Sequence, residues 1–246
     1  MSRMALPGKP SDQVQGILAN GDGDITTLFV SMARRHPDGT DAEYLRWHTL
    51  DHRPEQHRLS AVRASLRLVS TPSCRAARAA STGQYDEIDH VMTYFFTAPD
   101  GMDGFLALSH ALGDAGRKLT LLPPVERGIY DVETRRAAER VKVGADVLPW
   151  WPVKGVYLLL ERGMAPVDEL VDVDGIAGTW TATTLDVDPK LANAPTGQTL
   201  TYCFLDDDPV TVAHRLQPVL RQRASEVLLA APFHTIVAYE WDRYVP

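Results

Sequence analysis

The sequence has 246 residues, of which 44% are hydrophobic and 23% charged, and its formal net charge is −7. This composition is typical of a folded protein with one large domain or two domains of ~100 residues each, and it excludes a disordered or fibrous chain. The net negative charge and the lack of a basic stripe argue against nucleic-acid binding. Every apolar run in the sequence is shorter than the ~18 residues that a membrane-spanning helix needs, so we predict no membrane partner.

The N-terminus lacks the apolar stretch of a secretory signal. The two cysteines, Cys74 and Cys203, are far apart in sequence and form no ligand pair. We therefore expect a reduced, cytoplasmic protein.

The first half of the chain opens with a segment rich in Gly, Pro and Asp, residues 1–24, which we predict to be a flexible lead-in. Strand and helix patterns then alternate over residues 25–132. The predicted elements are a strand at 26–33, a helix at 41–57, strands at 62–69 and 88–96, a helix at 103–117 and a fourth strand around 125–132.

The second half, residues 154–246, repeats this order after a connector at 133–153. Within the connector, Trp150, Trp151 and Pro152 would fasten one half to the other. The predicted elements are a strand at 155–160, a short helix at 167–173, strands at 176–184 and 199–205, a helix at 209–225 opened by Asp208 and Pro209, and a closing strand at 233–241.

Each half therefore has the order β-α-β-β-α-β, which is the ferredoxin-like unit. A four-stranded antiparallel sheet with helices on one face needs cover on its other face. Two such sheets in one chain can cover each other, so we predict an α+β fold of two tandem ferredoxin-like repeats that close into a barrel. An internal pair of this kind can exist as a monomer or a homodimer.

The predicted helix at 41–57 carries the clearest candidate for chemistry. Leu45, His48 and His52 share one helical face at spacings i, i+3 and i+7. Two histidines four residues apart suit acid/base work, metal binding or a buried hydrogen-bond network. A zinc protease motif is absent, because Thr49 follows His48 where that motif needs glutamate.

The run from Trp47 to Glu55, WHTLDHRPE, resembles the first-helix signature of the dimeric α/β barrel superfamily, and is most similar to its EthD-like members. The repeat pattern extends this resemblance over residues 25–243. The resemblance implies that His52 is functional, with His48 and Arg53 as neighbours. The sequence departs from the signature after the proline, where it continues Glu55-Gln56-His57, and the second half contains no counterpart.

Further candidates come from residues on predicted strands. His90 and Tyr94 lie on the same face of the predicted strand at 88–96. Trp180 and Tyr202 lie on the predicted strands at 176–184 and 199–205. These side chains either line a pocket or pack in the core. Arg63 and Arg67 share the polar face of the strand at 62–69 and either meet an anionic substrate or face solvent. His110 falls opposite the apolar stripe of its helix and is predicted to face solvent. His234 shares a predicted strand face with Glu240.

The resemblance implies a cofactor-independent enzyme that isomerises, cyclises, decarboxylates or oxygenates an aromatic, polyketide-like or steroid-like small molecule. His52 and His48 would be catalytic, and Arg53, Arg67, His90, Tyr94 and Trp180 would bind substrate. We predict no metal site. Two alternatives remain: a non-catalytic ligand-binding or stress-associated barrel, and a haem-binding barrel. The sequence contains no nucleotide-binding motif and no nucleophile-elbow motif.

Overall fold

The structure is a computed structural model that describes residues 7, 18, 20–117, 121–163, 167–223 and 225–244. Most of the predicted lead-in, 1–24, therefore lies outside the described residues. No helix in the described ranges is long and apolar enough to span a bilayer.

The first repeat contains five strands, β1 to β5, and four short or medium α-helices, α1 to α4. Their bounds are β1 Thr27–Ala33, α1 Asp41–Trp47, α2 Arg53–Gln56, β2 Val62–Val69, α3 Pro72–Ala76, β3 Ala80–Ser81, β4 His90–Phe96, α4 Gly101–Asp114 and β5 Pro124–Ala137, with a π-helix at His48–His52 and a 3-10 turn at Gly83–Glu87.

The second repeat contains strands β6 to β9 and two α-helices. Their bounds are β6 Gly155–Arg162, α5 Asp168–Val171, β7 Ile176–Thr184, β8 Gln198–Leu205, α6 Pro209–Leu220 and β9 Glu226–Thr235, with 3-10 turns at Glu139–Val141, Ala145–Trp150 and Trp241–Tyr244.

The last strand is the largest departure from the sequence prediction. β9 covers Glu226–Thr235, whereas the prediction was 233–241. A proline normally interrupts a strand, but Pro232 lies where β9 changes neighbours, after its pairs with β3 and before its pairs with β2. The prediction that His234 and Glu240 share a strand face was therefore wrong.

The connector is also shorter than predicted. β5 extends to Ala137 and so takes in the first residues of the segment 133–153. Within the remainder, the indole N–H of Trp150 donates to the carbonyl oxygen of Arg63 at 3.2 Å. This bond joins the connector to β2 of the first repeat and by itself does not link the two halves.

Eight strands form a closed antiparallel barrel, and β3 is an additional short strand on β9. The order is β2-β4-β1-β5-β7-β8-β6-β9, and β9 pairs again with β2. Each repeat contributes four strands in the same internal order. The two joints between the repeats differ, since β5 and β7 form seven residue pairs but β2 and β9 form two.

The interior of the barrel is packed with apolar side chains from both repeats. Trp180, predicted to line a pocket, is 1% exposed and belongs to this core together with Tyr202. Its ring meets that of Phe95 edge-to-face at 5.7 Å between centroids, and its N–H donates to the carbonyl oxygen of Ala145. The described side chains therefore fill the barrel interior as a packed core.

One carboxyl group is also buried inside the barrel. Glu126 of β5 is 1% exposed. It accepts a hydrogen bond of 2.7 Å from the hydroxyl of Tyr85 through Oε2, and the amide of Gln198 donates to the same hydroxyl at 2.6 Å. Its Oε1 atom is buried without a partner among the described residues. Burial raises the pKa of Glu126 above its ordinary value.

Candidate functional site

The candidate site lies on the outer face of the first repeat's sheet. Strand pairing aligns Arg67 of β2 with Met92 of β4, Met92 with Ser31 of β1, and Ser31 with Arg127 of β5. These four residues therefore form one row across four adjacent strands. The segment from α1 to α2 and the helix α4 cover this face.

Between the row and the helices is a cavity of about 220 Å³. Its wall contains five Phe, Tyr or Trp residues, three other apolar residues, two arginines, three histidines and two serines. The lining residues are Phe29, Ser31, Tyr44, Trp47, His48, His52, Arg67, Met92, Tyr94, Phe105, Leu106, Ser109, His110, Leu121 and Arg127.

The helix that carries the two predicted catalytic histidines is interrupted by a π-helical turn. The backbone N–H of Arg53 donates to the carbonyl oxygen of His48, five residues back. Pro54 follows and has no N–H to continue the ladder. π-helical turns within α-helices are frequently found at functional sites, and this one holds the rings of His48 and His52 at 5.6 Å between centroids.

His48 is the more deeply buried of the pair, with 4% exposure. Its Nε2 atom is 3.3 Å from the Tyr94 hydroxyl oxygen, while its Nδ1 atom is buried without a described hydrogen-bond partner. Burial lowers the pKa of His48 well below 6.5, and the charges of Arg67, His52 and Arg53 lower it further. At neutral pH this imidazole is uncharged and can accept a proton.

His52 lies nearer the cavity mouth and is half-buried. Its ring stacks on Trp47 at 5.1 Å between centroids. The side-chain nitrogen of Gln56 is 3.4 Å from His52 Nε2 and donates to Ser109 of α4 at 2.9 Å. The glutamine thereby ties the histidine-bearing segment to the neighbouring helix.

Arg67 is 5% exposed and is one of the residues that line the cavity. Its Cζ atom lies 5.0 Å from the centre of the Tyr44 ring, a cation–π distance. Its Nε and Nη2 atoms are buried and have no hydrogen-bond partner among the described residues. Arg63, its partner in the sequence prediction, instead forms an ion pair of 2.7 Å with Asp24 and does not line the cavity.

The other predicted binding residues have different positions. His90 is fully buried outside the cavity lining, and its Nε2 atom is 2.6 Å from Asp41 of α1. Burial lowers the pKa of His90 to about 4, so the neutral ring donates to the carboxylate and fastens α1 to β4. Arg53 is half-buried behind the cavity wall, where burial lowers its pKa. Tyr94 lines the cavity, and burial raises the pKa of its hydroxyl.

Several lining residues were not identified from the sequence. Arg127 and Ser31 join the site only through strand pairing, and no local pattern indicates which strands become neighbours. Tyr44 lies outside the motif that drew attention to the helix. His110 was predicted to face solvent and is exposed, yet it also lines the cavity.

On the same outer face of the second repeat, strand side chains pack against α6, and a separate pocket of about 300 Å³ lies between α6 and β9. Tyr157, Leu159 and Cys203 pack there against Val212 and Leu216 of α6. The described residues of this repeat place no histidine pair and arginine in the corresponding position.

The described residues do not fit a metal ion held by three or more side chains. The described part of the chain contains no group of three or more His, Cys, Asp or Glu side chains that could hold a metal ion. The cavity of about 220 Å³ is smaller than the ~300–1,000 Å³ of pockets for drug-sized ligands.

No protein-family model and no curated protein matches the sequence. Among solved structures, the chain is similar to a protein provisionally named a chlorite dismutase, with 11% identity over 90% of this chain and 99% of that one, at a TM-score of 0.51. This similarity extends over nearly the full length of both chains and shows the fold. The chain has the dimeric α/β barrel fold, with one polypeptide supplying both halves.

Two further structures are more distant. A mutant chlorite dismutase from Candidatus Nitrospira defluvii has 9% identity over 94% of this chain and 98% of its own, at a TM-score of 0.49. An anthrone oxidase-like protein has 11% identity over 89% and 94%, at 0.45. At these identities the likeness concerns the fold alone.

Proposed function

We propose that this dimeric α/β barrel is a cofactor-independent enzyme that transfers a proton on a small aromatic molecule bound in the first-repeat cavity. The observation that carries the proposal is the uncharged, buried His48 beside Tyr94 at the wall of an aromatic cavity that also contains Arg67. A neutral imidazole is a general base at physiological pH, and a fixed cation stabilises the anion that deprotonation creates.

The reaction that this arrangement supports begins when the lone pair of a His48 ring nitrogen takes a proton from a carbon next to a carbonyl group. The carbon–hydrogen bonding pair moves to form an enolate, whose oxygen carries the negative charge. Return of the proton at the same or another position, from His48 or through His52, restores the neutral ring. Isomerisation and cyclisation both begin with such an enolate.

The cavity volume restricts the substrate that we propose. About 220 Å³ suits one or two aromatic rings and is too small for a steroid-like skeleton. Phe105, whose ring contacts those of Phe29 and Tyr94, lines the cavity with them and offers packing to a flat ligand.

The test is deuterium uptake by two enolisable probes, phenylacetone and 2-tetralone, in D2O, followed by NMR. We expect the protein to accelerate uptake into at least one probe, and His48→Gln and His52→Gln to lower the rate by ~100-fold or more, which is the usual contribution of a general base. Because the pKa of His48 lies well below 6.5, the rate should persist at pH values below that of free imidazole.

His214→Gln is the matched control, since His214 is exposed on α6 of the other repeat. Its rate should equal that of the unaltered protein. Binding of the probes without any accelerated uptake would contradict catalysis and favour the ligand-binding alternative. Full activity in both His48→Gln and His52→Gln would remove these residues from the mechanism.

A further inference from the structure

The cavity is lined by the buried cation Arg67, and none of its described lining residues carries a negative charge. Arg67 and Arg127 lie at the two ends of the row across the sheet, and no carboxylate is among the described lining residues. Nearby acidic groups are bound elsewhere. Asp41 contacts His90, and Asp51 and Glu55 contact Arg117 on the protein surface.

A buried guanidinium without hydrogen bonds is unfavourable, because it has lost its hydration without gaining a partner. The Tyr44 ring at 5.0 Å compensates one face of the Arg67 guanidinium, but the N–H groups on Nε and Nη2 lie in its plane and have no described acceptor. These two groups are adjacent and can bind both oxygens of a carboxylate at once.

We infer that the natural ligand is a small aromatic carboxylate whose carboxylate group is bound by Arg67. The inference deepens the proposed function, since it assigns the substrate class for the same cavity. The ring would lie against Phe105 and Tyr94, while the carboxylate forms paired hydrogen bonds with Nε and Nη2. Because the carboxylate occupies Arg67, Arg127 at the far end of the row is the cation left to stabilise the enolate oxygen.

The neutral state of His48 fits this assignment. A second cation beside Arg67 would repel it, and the structure keeps His48 uncharged by burial and by the charge of Arg67 itself. The carboxylate of the ligand supplies the only negative charge among the described groups that face the cavity. Binding would therefore favour protonation of His48 when it receives the proton from the substrate.

The test compares aromatic acids with their uncharged amides by calorimetry at pH 7. The probes are benzoate, phenylacetate and 2-naphthoate, each paired with its amide, which has nearly the same shape. A hydrogen bond to a charged partner contributes more than one to a neutral partner, so we expect at least one acid to bind ~10-fold or more tightly than its amide.

Arg67→Met removes the charge and keeps a long unbranched side chain, and it should make the acid and its amide bind equally. The same variant should melt at an equal or higher temperature without ligand, because it removes an uncompensated buried charge. A residue needed only for folding would show the opposite shift. Arg67→Lys keeps the charge without the planar pair of donors and should retain part of the preference for the acid.

Arg63→Met is the matched control, because Arg63 lies on the same strand but is paired with Asp24 outside the cavity. It should keep the full preference for the acid. Equal binding of every acid and its amide to the unaltered protein, or no binding of any acid at millimolar concentration, would overturn the inference. So would an acid preference that survives in Arg67→Met.

The two proposals fail separately. An acid preference that depends on Arg67, together with no deuterium uptake, would leave ligand recognition in place and remove catalysis. Catalysed uptake with no acid preference would leave the proton transfer in place and remove the carboxylate.

Discussion

Arg67 and Glu126 are both almost fully buried, on opposite faces of the same barrel wall. A guanidinium does not release its proton in a protein, so Arg67 needs an anion to compensate its charge. A carboxyl group has another outcome, because it can become neutral by binding a proton. The raised pKa of Glu126 shows that the barrel interior favours this neutral form.

Glu126→Gln should therefore stabilise the protein at alkaline pH. A carboxyl group whose pKa is higher in the folded protein than in the unfolded chain binds its proton more tightly when folded. Its stabilising contribution is complete below the unfolded pKa and is lost as the pH rises through the folded pKa. We expect Glu126→Gln to raise the melting temperature by a few degrees at pH 8 and to have little effect at pH 4.

The measurement is thermal unfolding across this pH range, with Glu133→Gln as control. Glu133 lies on the same strand and is exposed. Its replacement should leave the melting temperature within error of the unaltered protein at both pH values. A lower melting temperature for Glu126→Gln at pH 8 would show that the ionised carboxylate stabilises the fold.

At the scale of the element, the π-helical turn decides which side chains reach the cavity. It contains one more residue per turn than an α-helix, and Leu50 within it is 45% exposed. The extra residue projects toward solvent, while His48 and His52 remain on the cavity side. The π-turn thus sets how the side chains of α2 are rotated about the helix axis relative to those of α1.

Deletion of Leu50 should convert the π-turn to an α-helical turn. Every residue after the deletion would rotate by ~100° about the helix axis relative to α1, so His52 and Gln56 would leave their positions. We expect a folded protein with loss of deuterium uptake and of the hydrogen bond from Gln56 to Ser109. NMR of the histidine rings and the uptake assay measure the two effects.

The control for this deletion is Leu50→Ala, which removes the exposed side chain and keeps the number of residues. It should preserve both the ring signals and the activity. An unchanged environment for His52 in the deletion variant would contradict the role assigned to the π-turn.

The sequence was sufficient for the repeated strand and helix order and for the strands β2 and β7, whose predicted bounds match the structure. Local periodicity could not reveal the π-turn, because HTLDH differs from an α-helix only in backbone hydrogen bonding. It could not separate Arg67 from Arg63 either. Both alternate onto one face, and only tertiary packing pairs Arg63 with Asp24 while burying Arg67.

At the scale of the whole molecule, the two joints that close the barrel between the repeats differ in their number of residue pairs. The joint between β2 and β9 has two residue pairs and is supplemented by the C-terminal turn. The Tyr244 hydroxyl donates to the carbonyl oxygen of Thr235 at 3.0 Å and accepts from the N–H of Val237 at 2.8 Å. Arg35 of the first repeat donates to the Tyr244 carbonyl oxygen.

Tyr244→Phe should therefore loosen this joint selectively. It removes both hydroxyl bonds, each worth ~1 kcal/mol, and leaves the joint between β5 and β7 intact. Hydrogen exchange followed by mass spectrometry should show ~10-fold or greater acceleration in peptides covering 66–70 and 233–237, and little change in 130–137. Uniform acceleration over all three regions would mean that the barrel opens as a single unit.

The second repeat has no counterpart of the histidine-lined cavity among its described residues, and this has a consequence for stoichiometry. A barrel assembled from two identical chains contains every pocket twice, and a substitution in one copy necessarily alters the other. Here Tyr157, Leu159 and Cys203 pack against α6 where the first repeat leaves its cavity. We therefore expect binding to saturate at one ligand per polypeptide. A substitution in the cavity can then change the ligand specificity without altering a second, symmetry-related pocket.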